Sequence, residues 1–162
     1  MMKNIRKLNN YIITENTMVI KHFGESTYKS WIYERHTEYL CQQTPEEILD
    51  ESCKRKGITT YDGRKKAVAD VLRSKTKLPI PIEINSHSIF MPTTMKQRDR
   101  CDWFSYQYAL DIKPSAKGDF FKTIVLTNRK EVDLEITVST YKKQMQHAGS
   151  LIGYFNKKDD IS

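Results

Sequence analysis

The stretch CKRKGITTYDGRKKA (residues 53–67) carries six cations in two triplets, Lys54-Arg55-Lys56 and Arg64-Lys65-Lys66, on either side of a short loop with a glycine at each end. Lys and Arg at this density suit a polyanion, because each can neutralise one phosphate and release its counterion. Between Cys53 and Lys77 there are nine basic residues, these six with Arg73, Lys75 and Lys77, against two acids, Asp62 and Asp70. The other eighteen basic and eighteen acidic residues cancel, so the whole net charge of +7 lies in this one segment. A neutral body with one basic segment has a polyanion or an acidic surface as its natural partner.

The two triplets are not equivalent. Lys54, Arg55 and Lys56 fall in the last turn of an expected helix, where cations gain roughly 0.3–1 kcal/mol each from the helix dipole. That local explanation is sufficient by itself, and any contact with a ligand is additional. Arg64, Lys65 and Lys66 fall in the first turn of the next expected helix, where the dipole is positive and cations are unfavourable unless an anion offsets them. Free backbone N–H groups at a helix start together with three cations describe a phosphate site. Gly63 removes a side chain beside Arg64, which lets backbone approach a ligand and a guanidinium reach into a narrow groove. The alternative is neutralisation by Asp62, Asp70 or a distant acid.

Other candidate chemistry is weaker. Asp133 and Glu135 share one face of an expected strand, as metal-binding acids of a nuclease would, but the lysine such nucleases use does not follow. No nucleophile elbow, phosphate-binding loop or zinc-hydrolase helix is present, so no enzyme is expected. Cys41, Cys53 and Cys101 are widely spaced and odd in number, which suits reduced thiols, and Cys53 lies on the apolar face of its helix. His22, His36, His87 and His147 make no Cys-x-x-Cys or His-x-x-x-His pattern, so neither a metal nor another cofactor is expected. Trp103, Phe104, Tyr106 and Tyr108 could stack bases as a single-strand or RNA-binding platform, or fill a sheet core.

The elements that must position these residues are legible. Thr44-Pro45-Glu46-Glu47 is a capping box with proline at the first helical position, and Ile48, Leu49, Ser52 and Cys53 follow on one face. The spacing predicts a helix over 45–56 that Gly57 ends in a left-handed turn. A second helix is expected from a cap at Asp62 to about Ser74, with Val68, Val71 and Leu72 inward. Strands are expected at 17–23, 28–34 and 36–41 before this pair, and at 82–84, 88–91, 103–110, 120–126 and 131–138 after it. Thr127-Asn128-Arg129-Lys130 makes a hairpin loop, and residues 139–155 close the chain as a helix.

The fold expected is a single α+β domain: a β-rich N-terminal part, a central helical pair, antiparallel strands and a C-terminal helix. Residues 1–16 are expected to be a flexible N-terminus, 17–156 the domain and 157–162 a polar tail. At 162 residues, 38% apolar and 29% charged, the chain can bury a core without disulfides. No apolar run approaches a membrane span and MMKNIRKLNN lacks a secretory signal's apolar stretch, so a cytoplasmic protein is expected.

From Ile48 to Trp103 the sequence resembles the ComK family of competence transcription factors. The match is carried by Ser52-Cys53 with Gly57, Gly63-Arg64-Lys65, Lys77 with Pro79 to Ile82, Ile89-Phe90 with Pro92-Thr93, then Cys101 and Trp103. The resemblance implies a DNA-binding activator that recognises paired A/T-rich boxes largely through the minor groove. It implies double-stranded promoter DNA as partner, a homo-oligomer on that DNA, and RNA polymerase as a further contact. Arg64 becomes the minor-groove residue, beside Gly63. Lys54, Arg55, Lys56, Lys65, Lys66, Arg73, Lys75 and Lys77 become phosphate contacts. The sequence departs from the family in the Gly57–Gly63 loop, one residue longer than expected. It departs again after Phe155, where better-known members continue into a tail for adaptor-mediated proteolysis and oligomerisation.

Overall fold

The computed structural model describes residues 5–83, 87–94 and 100–160. The described chain runs β1 (Arg6–Leu8), β2 (Thr17–His22), β3 (Ser30–Glu34), β4 (Glu38–Cys41), α1 (Pro45–Gly57), α2 (Tyr61–Leu72), β5 (Ile80–Glu83), β6 (Ser88–Pro92), β7 (Trp103–Ser105), β8 (Ala109–Pro114), β9 (Phe121–Leu126), β10 (Glu131–Glu135) and α3 (Val138–Asp160). The fold is α+β with the helical pair between two β-rich parts, as expected.

Seven strands form one sheet in the order β1-β4-β3-β2-β7-β6-β5, and β10-β9-β8 form a second, antiparallel one. Residues successive in a strand point to opposite faces, and here they feed different cores. Ile20, Ile32, Ile80 and Phe90 meet Ile48, Leu49 and Cys53 of α1 on one face. Val19, Ile89, Met91 and Phe104 meet Ile124, Leu126, Val132 and Leu134 of the second sheet and Tyr141, Ala148 and Leu151 of α3 on the other. The large sheet is thus the middle layer. Among the described residues no helix is long and apolar enough to cross a membrane.

Several expectations are corrected. Residues 5–16 are not loose: β1 pairs in parallel with β4, Tyr11 and Ile13 are buried, and the Ile13 amide donates to Ser52 Oγ at 2.9 Å. That bond also explains a serine on the apolar face of α1. The strand expected over 103–110 divides between the two sheets, because Tyr108 N closes a turn onto Ser105 O and sends the chain across. α3 runs past Phe155 to Asp160, so the described part of the expected tail is helical. β5 begins at Ile80, and Pro81 is tolerated inside it because β5 is an edge of the sheet. Ile84, placed in a strand by its sequence, lies outside the described residues.

α1 starts with the expected capping box, Thr44 Oγ1 accepting from Glu47 N and Glu47 reaching back to Thr44 N. Its end differs. Gly57 stays helical, and Ile58 takes the left-handed conformation at φ 52°. α2 is capped by Thr60, not Asp62. It buries only Val68, with Val71 and Leu72 half-buried against the core shared with α3. The helix lies at the β5 edge between α1 and α3, with Asp62, Lys66, Ala67 and Asp70 exposed along it.

Candidate nucleic-acid interface

The last turn of α1 presents Lys54, Arg55 and Lys56, all exposed. Each has an acid within reach: Lys54 pairs with Asp50 at 3.0 Å, Arg55 with Glu51 at 3.2 Å and Lys56 with Glu83 at 3.3 Å. The first two are i,i+4 pairs along one helix face. Asp50 also accepts from the Tyr61 amide at 2.9 Å, and that bond, ahead of the Lys54 contact, holds its carboxyl below the usual carboxylate range. The triplet closes α1, complements its dipole and is neutralised in place.

The start of α2 is less open to an anion than its sequence suggests. The Tyr61 amide is taken by Asp50, Gly63 N donates to Thr60 Oγ1 at 3.0 Å and Arg64 N is already in the helix ladder on Thr60 O. With the cap at Thr60, Arg64, Lys65 and Lys66 stand beyond the first turn, where the dipole has faded. Gly63 has its own structural reason. A Cβ there would lie 2.5 Å from Thr59 Oγ1, so the missing side chain admits the threonine that packs the turn.

Within the second triplet the residues part company. Arg64 precedes Val68 by one helical repeat and shares its inward phase, so its side chain is half-buried and folds back over α1. A Cβ on Gly57 would stand 1.7 Å from Arg64 Nη2 and 2.7 Å from Cζ; the guanidinium occupies the space that the glycine leaves. Its Nε is buried without a hydrogen-bond partner among the described residues, and its charge lies near the Cys53 thiol, which burial nonetheless pushes up to about 11.

Lys65 and Lys66 point elsewhere. They line an open groove with Asp62, Ala69, Lys75 and Leu78, and Lys65 Nζ lies 5.9 Å from the centre of the Tyr61 ring. Arg73 is exposed and left-handed at the end of α2. Among the described residues none of Arg64, Lys65, Lys66, Arg73, Lys75 and Lys77 has a carboxylate within ion-pair distance.

Lys77 extends this surface onto α3. Its Nζ donates to Thr140 Oγ1 at 3.2 Å and its carbonyl accepts from Gln144 Nε2 at 2.7 Å. A cleft there is lined by Thr76, Lys77, Ser139, Thr140, Lys143, Gln144 and His147. Burial, then Lys143, holds the His147 pKa below the ordinary histidine range. Thr140, Lys143 and His147 were not singled out from sequence. Their recurrence at i, i+3 and i+7 was a usable signal, but only the fold shows which helix face meets Lys77.

The other candidates are placed too. Trp103, Phe104 and Tyr108 are buried and only Tyr106 is partly open, so the aromatic run is sheet core and no stacking platform. Asp133 is held by the hydroxyls of Ser115 at 2.9 Å and Thr123 at 2.6 Å, which orient it within its own sheet. Cys41, Cys53 and Cys101 are free and buried.

Compared with known proteins, the family model described as ComK protein matches residues 8–160. A relative named competence transcription factor, from Bacillus subtilis (strain 168), is 25% identical over 131 residues, which cover 81% of this chain and 67% of the relative. No solved structure matches.

Proposed function

From its membership of the ComK family, to which the chain belongs, we propose that this protein is a transcription factor that binds double-stranded DNA at A/T-rich boxes largely through the minor groove and activates from there. The observation that carries the reading is the surface from Lys65 to Lys77. Its cations are exposed or half-exposed and lack an acidic partner among the described residues, while the triplet on α1 is neutralised by its own chain. Cations without an acidic partner along α2 and the turn that follows it suit a phosphate backbone.

In this reading Lys65, Lys66 and Lys75 hold phosphates along the α2 groove, with Arg73 and Lys77 extending the row. Lys54, Arg55 and Lys56 flank it and contribute less, since each must leave an acid. Gly63 serves the turn that presents the row. Arg64 enters the minor groove, where narrow A/T tracts concentrate negative potential. To do so its guanidinium leaves Gly57, and its unpartnered Nε favours that exchange. The described residues from 5 onward act as one DNA-binding unit, in the cytoplasm on the nucleoid, as a homo-oligomer that also contacts RNA polymerase. The protein acts by binding and is no enzyme.

The test is a gel shift on A/T-box and G/C-rich duplexes, with a minor-groove-binding drug as competitor. A/T preference, displacement by the drug, and loss of the preference in Arg64→Ala are expected. Lys75→Ala should weaken both duplexes about equally and lower the salt slope by about one. Indifference to both sequence and drug would overturn the reading.

A further inference from the structure

Ile58 is the most exposed large apolar residue of the described chain, at 95% exposure, and it stands at the tip of the turn that joins the two cationic triplets. Its backbone is left-handed, φ 52° and ψ 42°, a conformation uncommon for any residue but glycine and an outlier for a β-branched one. The turn is well made around it. The Ile58 amide and the Thr59 amide both close onto Cys53 O, and the Thr60 cap starts α2 directly after.

In such helix ends an apolar residue normally folds back against the last turn. Ile58 does not, and glycine or asparagine would suit the backbone better. The position therefore combines a strained backbone, a solvated aliphatic side chain and cations on both sides. On one flank are Lys54, Arg55 and Lys56; on the other the Arg64 guanidinium lies against Gly57, the residue next to Ile58.

Resting on the DNA-binding reading above, we propose that Ile58 is an apolar wedge that enters the minor groove at a base step and partly unstacks it. Aliphatic side chains on proteins bound in the minor groove do this where flanking cations hold the backbone. Pyrimidine–purine steps, TA above all, yield most readily, so the wedge adds specificity for such a step inside an A/T-rich box. Arg64, released from Gly57, follows the wedge into the same groove. The exposed apolar tip and its unfavourable backbone are then explained together, as features used only in the complex.

The experiment compares the wild type, Ile58→Leu and Ile58→Asn. Each is titrated against an A/T-box duplex carrying 2-aminopurine at its TA step, and each is melted without DNA. The wild type and Ile58→Leu should bind and raise the 2-aminopurine fluorescence. Ile58→Asn should bind about tenfold more weakly, as loss of one buried aliphatic side chain entails, and leave the fluorescence unchanged. Its Tm should rise by about 2–4 °C, because asparagine accepts the left-handed conformation. A wild type that binds without unstacking, or Ile58→Asn that unstacks as well as the wild type, overturns the wedge and leaves the DNA-binding reading intact. A wild type that binds no duplex overturns the proposed function itself, and the wedge with it.

Discussion

The end of α1 and the start of α2 each carry three consecutive cations, and the fold treats them in opposite ways. Lys54, Arg55 and Lys56 each meet an acid at 3.0–3.3 Å. Arg64, Lys65 and Lys66 meet none among the described residues. Asp50 and Glu51 stand one helical repeat before Lys54 and Arg55. The matching position before Lys66 is Asp62, which shares its groove without approaching to ion-pair distance. Two runs of like composition can therefore be a closed surface and an open one. Two acids on the same helix and Glu83 on β5 close the first run, and only the second stays without a carboxylate within ion-pair distance among the described residues.

The largest effect should come from replacing Arg64, Lys65 and Lys66 together by alanine. In the proposed complex that removes two or three ionic contacts, so the slope of log K against log salt should fall by about 2–3 and affinity at moderate salt by about 100-fold or more. The melting temperature should change little, since no ion pair among the described residues is lost and the helix propensity of alanine offsets the Arg64 packing given up against Gly57. A salt titration of binding beside a thermal melt reads both, and an unchanged slope would erase the contrast between the triplets.

The contrast also requires that binding follow local charge and not general stability. Asp102 allows the two to be varied separately. Its carboxyl is buried in a cleft lined by Lys21, His22, Arg100 and Glu135. Burial pushes its pKa up to about 6, against the opposing effect of the His22 amide donated at 2.7 Å. A folded pKa above the unfolded value of 3.8 means that the folded chain binds its proton more tightly. Asp102 therefore costs stability as pH rises from about 4 to 6, and the cost is complete above that. Asp102→Asn keeps an acceptor for His22 and should flatten that slope. It should raise stability at pH 7 by ~1–3 kcal/mol with duplex affinity unchanged. Denaturant melts at pH 4, 5, 6 and 7 check the first part, and a change in affinity would show that stability had been confounded with contact.

Much of this was legible in the sequence because it is local. The capping box at Thr44, the inward phase of Ile48, Leu49 and Cys53, and the hairpin at Thr127–Lys130 depend on residues a few positions apart. What failed depends on contacts across the fold. Nothing near Arg6 announces a parallel partner at Tyr39. Gly57 looked like the left-handed residue because glycine usually is, yet its missing side chain serves Arg64, and Ile58 takes the turn. The aromatic run 103–108 was ambiguous between platform and core until both faces of the large sheet were seen to be covered. For the site, the location of the charge was readable, but the division of labour within it was not. Arg64 faces α1 while Lys65 and Lys66 face the groove, a division set by the helical phase that Arg64 shares with Val68.

A smaller effect, of opposite character, is expected when Lys54, Arg55 and Lys56 are replaced by alanine. Two i,i+4 pairs, a third surface pair and the favourable charge at the helix end are lost together, so the melting temperature should fall slightly. The salt slope of duplex binding should change by less than one, because these cations are already neutralised. A slope change equal to that of the Arg64-Lys65-Lys66 variant would mean that the ion pairs open freely on DNA and that the two triplets are equivalent after all.

The smallest expected effect is the most discriminating, and it lies at Gly57, between the two regions. Its backbone is ordinary helix, with no positive φ, so alanine there should gain up to about 1 kcal/mol of helix propensity. The added Cβ cannot coexist with the Arg64 guanidinium in its present place, since Nη2 would lie 1.7 Å away. That atom ends a flexible side chain, so the arginine leaves and the helix stays. Lost packing then offsets part of the propensity gain, and the melting temperature should change little. If Arg64 must leave Gly57 to reach DNA, Gly57→Ala has already made that move, and affinity for the A/T duplex should rise by about 3- to 10-fold. The same substitution in an Arg64→Ala background should do nothing, and the double-mutant cycle isolates the coupling. A gain that persists without Arg64 would show that Gly57 is not its resting seat, and would return the reserve of charge to Lys65 and Lys66 alone.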